Sequence, residues 1–136
     1  MSNRKEMLAA AERAILERRP GTMVGMLHVH LRRLRQISIA LDHDIADAVP
    51  GAAEERLRAF LRSADLVARI GEQDFMVVLP NLLSPGHAEL AAQRVLREFE
   101  RPLHVLGRLI EATVALGLAW SPEHAGSADA LARRAT

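Results

Sequence analysis

The chain has 136 residues, enough for one compact domain around a single core and too few for two. Its 18 Lys+Arg stand against 17 Asp+Glu, so the overall field draws in neither nucleic acid nor an anionic membrane, and any charged-ligand site has to be local. With 3% aromatics, no Tyr and no Cys, the stacking platforms of single-stranded nucleic-acid binders, disulfides and thiolate zinc sites are all excluded.

No apolar run is long enough to span a bilayer, and the charged N-terminal stretch does not read as a signal peptide, so a cytoplasmic protein without membrane insertion is expected. From Asn3 to Arg19 the residues Met7, Leu8, Ala11, Ala14 and Ile15 recur at helical spacing until Pro20-Gly21, which predicts an amphipathic first helix. Thr22 to Val29 (TMVGMLHV) is short, apolar and partly β-branched, so it reads as a buried strand. Its C-terminal end is where open sheets place ligands. Leu31, Leu34, Ile37 and Leu41 then repeat with a helical period, and a second helix follows Pro50-Gly51 with Leu57, Phe60 and Leu61 on one face.

Asp65 to Ile70 and Phe75 to Pro80 are strand-like runs joined by a tight hairpin, GEQD. Gly71 is free to take unusual backbone angles there, and the tip displays Glu72, Gln73 and Asp74. Pro85 to Arg101 is helical by period through Leu90, Ala91, Val95, Leu96 and Phe99, and Pro102 ends it. Pro102 to Val105 and Leu109 to Trp120 form a further hairpin turning near Gly107, and Ser127 to Arg134 begins a last helix. After the first helix the order is β-α-α-β-β-α-β-β-α, which predicts a sheet covered by helices in one α/β domain.

Three clusters could carry chemistry on composition alone. His28 and His30 share a strand face and could join His43 on zinc, but no further ligand sits at convincing spacing, which favours a structural role. Arg32, Arg33 and Arg35 are isolated in a nearly neutral chain and read as a solvated helix face. Asp42, Asp44 and Asp47 lack the ordered spacing and closing glutamate of an EF-hand, so they read as a loop between helices.

Leu27 to Pro80 is similar to the core of GGDEF domains, whose pattern is xDLDxFKxINDxxGHxxGDxxL followed by RxxDxxxRxGGDEFxxxLP. The corresponding stretches here are HVHLRRLRQISIALDHDIADAV and RSADLVARIGEQDFMVVLP. Asn3-Arg4, the strand TVALGLAW and the helix ADALARRA resemble the family's flanking pieces, so the likeness covers nearly the whole chain. The final helix stops short of the family's usual end, which suggests a single domain, 1–136, taken from a longer bacterial signalling protein. In active members that missing tail carries further phosphate-binding basic residues.

The resemblance implies a diguanylate cyclase fold, α/β (α+β) with a nucleotidyl-cyclase-like central mixed sheet of about five strands flanked by helices, that in working members condenses two GTP on divalent metals held by hard oxygen ligands. The metal positions are His30 and Gln73 here, and the signature GGDEF reads Gly71, Glu72, Gln73, Asp74, Phe75. No metal or other cofactor is therefore expected; Mg²⁺ would enter only with residual GTP binding. Arg35 occupies a phosphate-contacting position, while Ser38 and Asp47 occupy the guanine-contacting ones, so nucleotide recognition there is vestigial.

Arg62 and Asp65 preserve the inhibitory RxxD element, and Arg94 matches a second arginine of that site. Arginine suits this role because its planar fork clasps phosphate or the guanine edge at two points. The resemblance thus implies a catalytically inactive domain that binds cyclic di-GMP (c-di-GMP) or regulates a partner, such as an attached EAL phosphodiesterase or sensor domain, or a second copy in a homodimer. Two rival readings are a structural or dimerisation module that binds no nucleotide, and a residual cyclase. On the blander reading Arg62 and Asp65 are a plain surface pair and Arg94 a solvated helix residue.

Overall fold

The computed structural model describes residues 3–34, 43–122 and 127–135. Helix α1 (Asn3–Leu16) leads into β1 (Met23–Leu34), then α2 (His43–Phe60), β2 (Leu66–Arg69), β3 (Asp74–Leu82) and α3 (Pro85–Glu98). The short strands β4 (Leu103–Val105) and β5 (Arg108–Ile110) follow, then β6 (Ala112–Ser121) and α4 (Ala128–Ala135). The main sheet has the order β2-β3-β1-β6, and β4 and β5 pair separately. This is the expected α/β (α+β) arrangement of a sheet flanked by helices. The sheet has four strands rather than about five, and its pairings among the described residues are antiparallel rather than mixed.

Strand β1 is hydrogen-bonded on both edges and buried on both faces. Its side chains alternate between two cores, as a period of two requires. Leu27, Val29 and Leu31 join Phe75, Val77 and Leu79 of β3 beneath Ile45, Val49, Ala53 and Leu57 of α2 and Val95 of α3. Val24 and Met26 join Met76 and Val78 beneath Met7, Ala11 and Ile15 of α1 and Ala128, Ala132 and Ala135 of α4.

The strand runs on past Val29 to Leu34, so Leu31 and Leu34 belong to β1 and not to a helix. Ladder partners in β3 and β6 satisfy this backbone on both sides and override the helical spacing of the leucines. Arg32 and Arg33 accordingly extend a strand instead of forming a helix face, and Arg32 is the extra residue of a β-bulge against β6. Ile37, Leu41, Asp42 and Arg35 lie outside the described residues.

Asp44 and Asp47 stand within α2, not in a loop. That helix also runs through Pro50, where a break was expected. Ile45, Val49, Ala53 and Leu57 form one buried i, i+4 stripe, and its burial outweighs the single helix bond that the proline removes. Helix α3 buries Ala88 and Val95, while Leu90 and Leu96 are exposed rather than part of its core face.

The hairpin at the end of the β4–β5 pair is a two-residue turn, with Leu106 at φ 49° and Gly107 at φ 79°. Positive φ at both positions matches the twist of a tight antiparallel pair. The tip at Gly71 uses no such angle; Gly21 and Gly107 are the glycines with positive φ among the described residues.

Two close contacts lock the helices onto this frame. At Gly117 the backbone of Ala135, the last residue of α4, comes so near that a Cβ would coincide with its carbonyl oxygen. On the other face, Arg56 of α2 closes the C-terminal end of α3. Its Nη1 donates to Glu98 O at 2.9 Å and also to Arg101 O, its Nη2 donates to Pro102 O at 2.8 Å, and the guanidinium lies 5.8 Å from the centre of the Phe99 ring. Glu98 O is one of the carbonyls that the helix end leaves without an intrahelical donor, and Arg101 and Pro102 belong to the segment that follows. Burial first, and the nearby Arg101 second, pull the Arg56 pKa below its usual value, with Glu98 opposing, yet a guanidinium remains charged.

Gly117→Ala should therefore lift α4 from the sheet and lower unfolding stability by about 2 kcal/mol or more, measured as a fall in the urea midpoint. Arg56→Ala should cost about 1–3 kcal/mol in thermal unfolding, and Arg56→Lys should recover only part, because an ammonium cannot reach the same spread of carbonyls.

Candidate functional site

At one end of β3 the hairpin carries the altered signature. The turn is held by backbone: Ile70 N–H donates to Asp74 O at 2.8 Å, and Leu31 N–H of β1 donates to Gln73 O at 2.8 Å. Arg69 adds a clamp from below, with Nε donating to Gly71 O at 2.8 Å and Nη2 to Glu72 O at 2.6 Å. Glu72 and Gln73 point outward as exposed residues, so neither disturbs the turn.

His28 and His30 share one strand face, as their spacing requires, and both converge on Asp74. His30 Nδ1 lies 2.8 Å and His28 Nε2 3.0 Å from the same oxygen, Asp74 Oδ1. His30 and Asp74 are direct cross-strand partners, which sets this contact. The side chain of His43 lies outside what the structure describes.

A hard divalent cation does not fit the described donors. The hairpin's carboxylate has one oxygen shared by two imidazoles, Gly71 and Glu72 turn their carbonyls to Arg69, and His30 and Gln73 bring no charge of the required sign. Among the described residues no group of three or more His, Cys, Asp or Glu is arranged to hold a metal ion. Asp47 is exposed on α2, with no described contact to this cluster, and Arg35 and Ser38 lie outside the described residues.

The opposite end of β3 holds the second group. From Asp74 to Asn81 the strand spans about 23 Å at its usual rise of roughly 3.3 Å per residue, so the two groups are well separated. Arg62 and Asp65 close the turn between α2 and β2. Arg62 donates from its backbone N–H to Asp65 Oδ2 at 2.8 Å, from Nε to Oδ1 at 2.9 Å and from Nη2 to Oδ1 at 2.6 Å. Nη2 also reaches Pro80 O at the end of β3, 2.9 Å away.

The Asp65 side chain is only 3% exposed, so this is a sheltered, two-pronged charge pair and more than the plain surface pair of the blander reading. Among the described residues Arg62 Nη1 has no protein partner. Arg94 of α3 rests over Phe60 at 5.3 Å from the ring centre, and its guanidinium makes no hydrogen bond to a described residue.

Arg62, Asp65 and Arg94 line one cleft of about 520 Å³. That is within the roughly 300–1,000 Å³ usual for small-molecule sites. The structure therefore brings together all three residues assigned to RxxD and its partner arginine. A larger cavity, about 650 Å³, lies between α3 and the start of β6 and contains none of the expected site residues.

Arg19, Asn81 and His87 also line the cleft, and the sequence reading had singled out none of them. Arg19-Pro20-Gly21-Thr22 is a type II turn, closed by Thr22 N–H to Arg19 O at 3.1 Å with Gly21 at φ 79°. Asn81, itself at φ 53°, accepts from Arg19 N–H at 3.0 Å through Oδ1 and so ties that turn to β3. Pro-Gly signals the turn in the sequence, but nothing local signals what it returns to.

The family profile described as "Diguanylate cyclase, GGDEF domain" matches residues 1–136. Diguanylate cyclase TpbB of Pseudomonas aeruginosa is 31% identical over 109 residues, which is 79% of this chain and 25% of TpbB. Cyclic di-GMP phosphodiesterase NbdA of the same species is 27% identical over 115 residues, 85% of this chain and 15% of NbdA. The crystal structure of the GGDEF domain of TpbB is similar with a TM-score of 0.88 at 28% identity, covering 97% of this chain and 83% of that one. An EAL/GGDEF domain protein from M. capsulatus is similar with a TM-score of 0.74 at 28% identity, covering 96% and 85%. The chain spans about a quarter or less of the length of these two curated relatives. With the profile running over the whole chain and the architecture matched strand for helix, the chain belongs to the family of GGDEF domains.

Proposed function

We propose that this domain is a catalytically inactive member of the family that binds cyclic di-GMP through Arg62, Asp65 and Arg94 and regulates a partner with what it binds. The observation that carries this reading is the shared cleft: residues 32 positions apart, Arg62 and Arg94, open onto one cavity with unused guanidinium donors. Cyclic di-GMP presents two phosphates and two guanine edges, the groups that arginine grips in pairs. The names of TpbB and NbdA, a cyclase and a phosphodiesterase, share this one molecule. The loss of catalysis is inferred from the other end of β3, where the donors suit imidazole–carboxylate contacts and not a divalent cation. An attached EAL phosphodiesterase or sensor domain is the proposed partner, in keeping with the EAL/GGDEF relative and the greater length of the curated ones.

Calorimetric titration with cyclic di-GMP tests the binding. The wild-type domain should bind saturably, and Arg94→Ala should weaken binding by at least about tenfold with an unchanged unfolding midpoint. Arg62→Ala should abolish binding, but it also strips a sheltered carboxylate of its partner, so Arg94→Ala is the cleaner variant. Silence from the wild type would leave the rival reading of a purely structural module.

A turnover assay with GTP and Mg²⁺ or Mn²⁺ at high protein concentration should yield no cyclic di-GMP. The double variant His30→Asp/Gln73→Glu should also remain without product, since Glu72 stays at the turn; product from the wild type would overturn the inactive assignment.

A further inference from the structure

Two exposed leucines face the same cleft. Leu82 is buried at the end of β3, but its neighbour Leu83 is 69% exposed, and Leu90 on α3 is 61% exposed. Single exposed leucines are ordinary on protein surfaces. These two line the same cavity as Arg19, Arg62 and Arg94, and Leu90 and Arg94 stand one turn apart on α3. On α3 the stripe His87, Leu90, Ala91 and Arg94 follows the i, i+3, i+4, i+7 pattern, so one helix face turns to the cleft over about 10 Å. The cleft's carboxylate, Asp65, is already matched by Arg62, and Arg19 and Arg94 add two further cations to the lining, Arg94 with Glu98 nearby on α3.

We propose that Leu83 and Leu90 form a base-binding wall, which takes the flat face of a purine while the arginines take its phosphates. This rests on the cyclic di-GMP reading of the cleft and adds a specificity element to it. A bare phosphate would leave the leucines uncovered, and an apolar peptide would leave the arginines without acceptors. A planar base joined to phosphate meets both the leucines and the arginines.

The test is cyclic di-GMP affinity of the wild type, Arg94→Ala and the double variant Leu83→Ser/Leu90→Ser, each measured at low and high salt. The leucine variant should bind about tenfold or more weakly with an unchanged unfolding midpoint, because both side chains are exposed in the free domain. It should keep the salt dependence of the wild type, whereas Arg94→Ala should flatten it. Wild-type affinity in the leucine variant beside a weakened Arg94→Ala would overturn the base wall and leave a phosphate site. No binding to the wild type would overturn the reading of the whole cleft, and this proposal with it.

Discussion

Strand β1 sits between β3 and β6 with its backbone paired on both edges and its side chains buried on both faces. A strand in that position has to be apolar in both parities, and it forces helices onto both faces of the sheet. Its even-numbered side chains feed the α1/α4 core as far as Met26 and then become His28 and His30, where that core ends. Its partner β3 has the same parity, so Asp74 comes level with His30 as a matter of register. The opposite end of β3 is fixed by the same ladder, and there Asn81 and Pro80 meet the turn of Arg19 and the guanidinium of Arg62.

The hairpin between β2 and β3 owes its shape to the main chain. The turn is held by main-chain bonds and by Arg69 reaching main-chain carbonyls, so side chains at positions 72 and 73 can change without disturbing the geometry. A carboxylate that faces imidazole nitrogens at 2.8 and 3.0 Å is organised for hydrogen bonding.

At the cleft the two roles are joined. Arg62 is a strut, because it satisfies a carboxylate that is almost wholly sheltered and ties α2 to the end of β3, and it still turns Nη1 outward. Arg94 is held by Phe60 through the face of the ring, which fixes its position without using its hydrogen-bond donors. The cations of this cleft are thus placed by packing and by the Asp65 pair.

Local pattern sufficed for much of this. The apolar run of β1, the alternation around the GEQD turn, the punctuation at Pro20-Gly21 and Gly107, and the spacing from Arg62 to Asp65 are properties of neighbouring residues, so a single chain discloses them. The position of His30 at the end of the first strand and of Gln73 at the hairpin tip was legible for the same reason. Three matters depended on long-range contacts that no window of sequence contains. Ladder partners on two edges made Leu31 and Leu34 strand instead of helix. Asp74 became the shared partner of His28 and His30, and Arg19, Asn81, His87 and Leu90 reached the cleft of Arg62 only through the closure of the whole sheet. The physical reason is common to all three: sequence spacing specifies which face a residue takes, and only packed elements decide what that face meets.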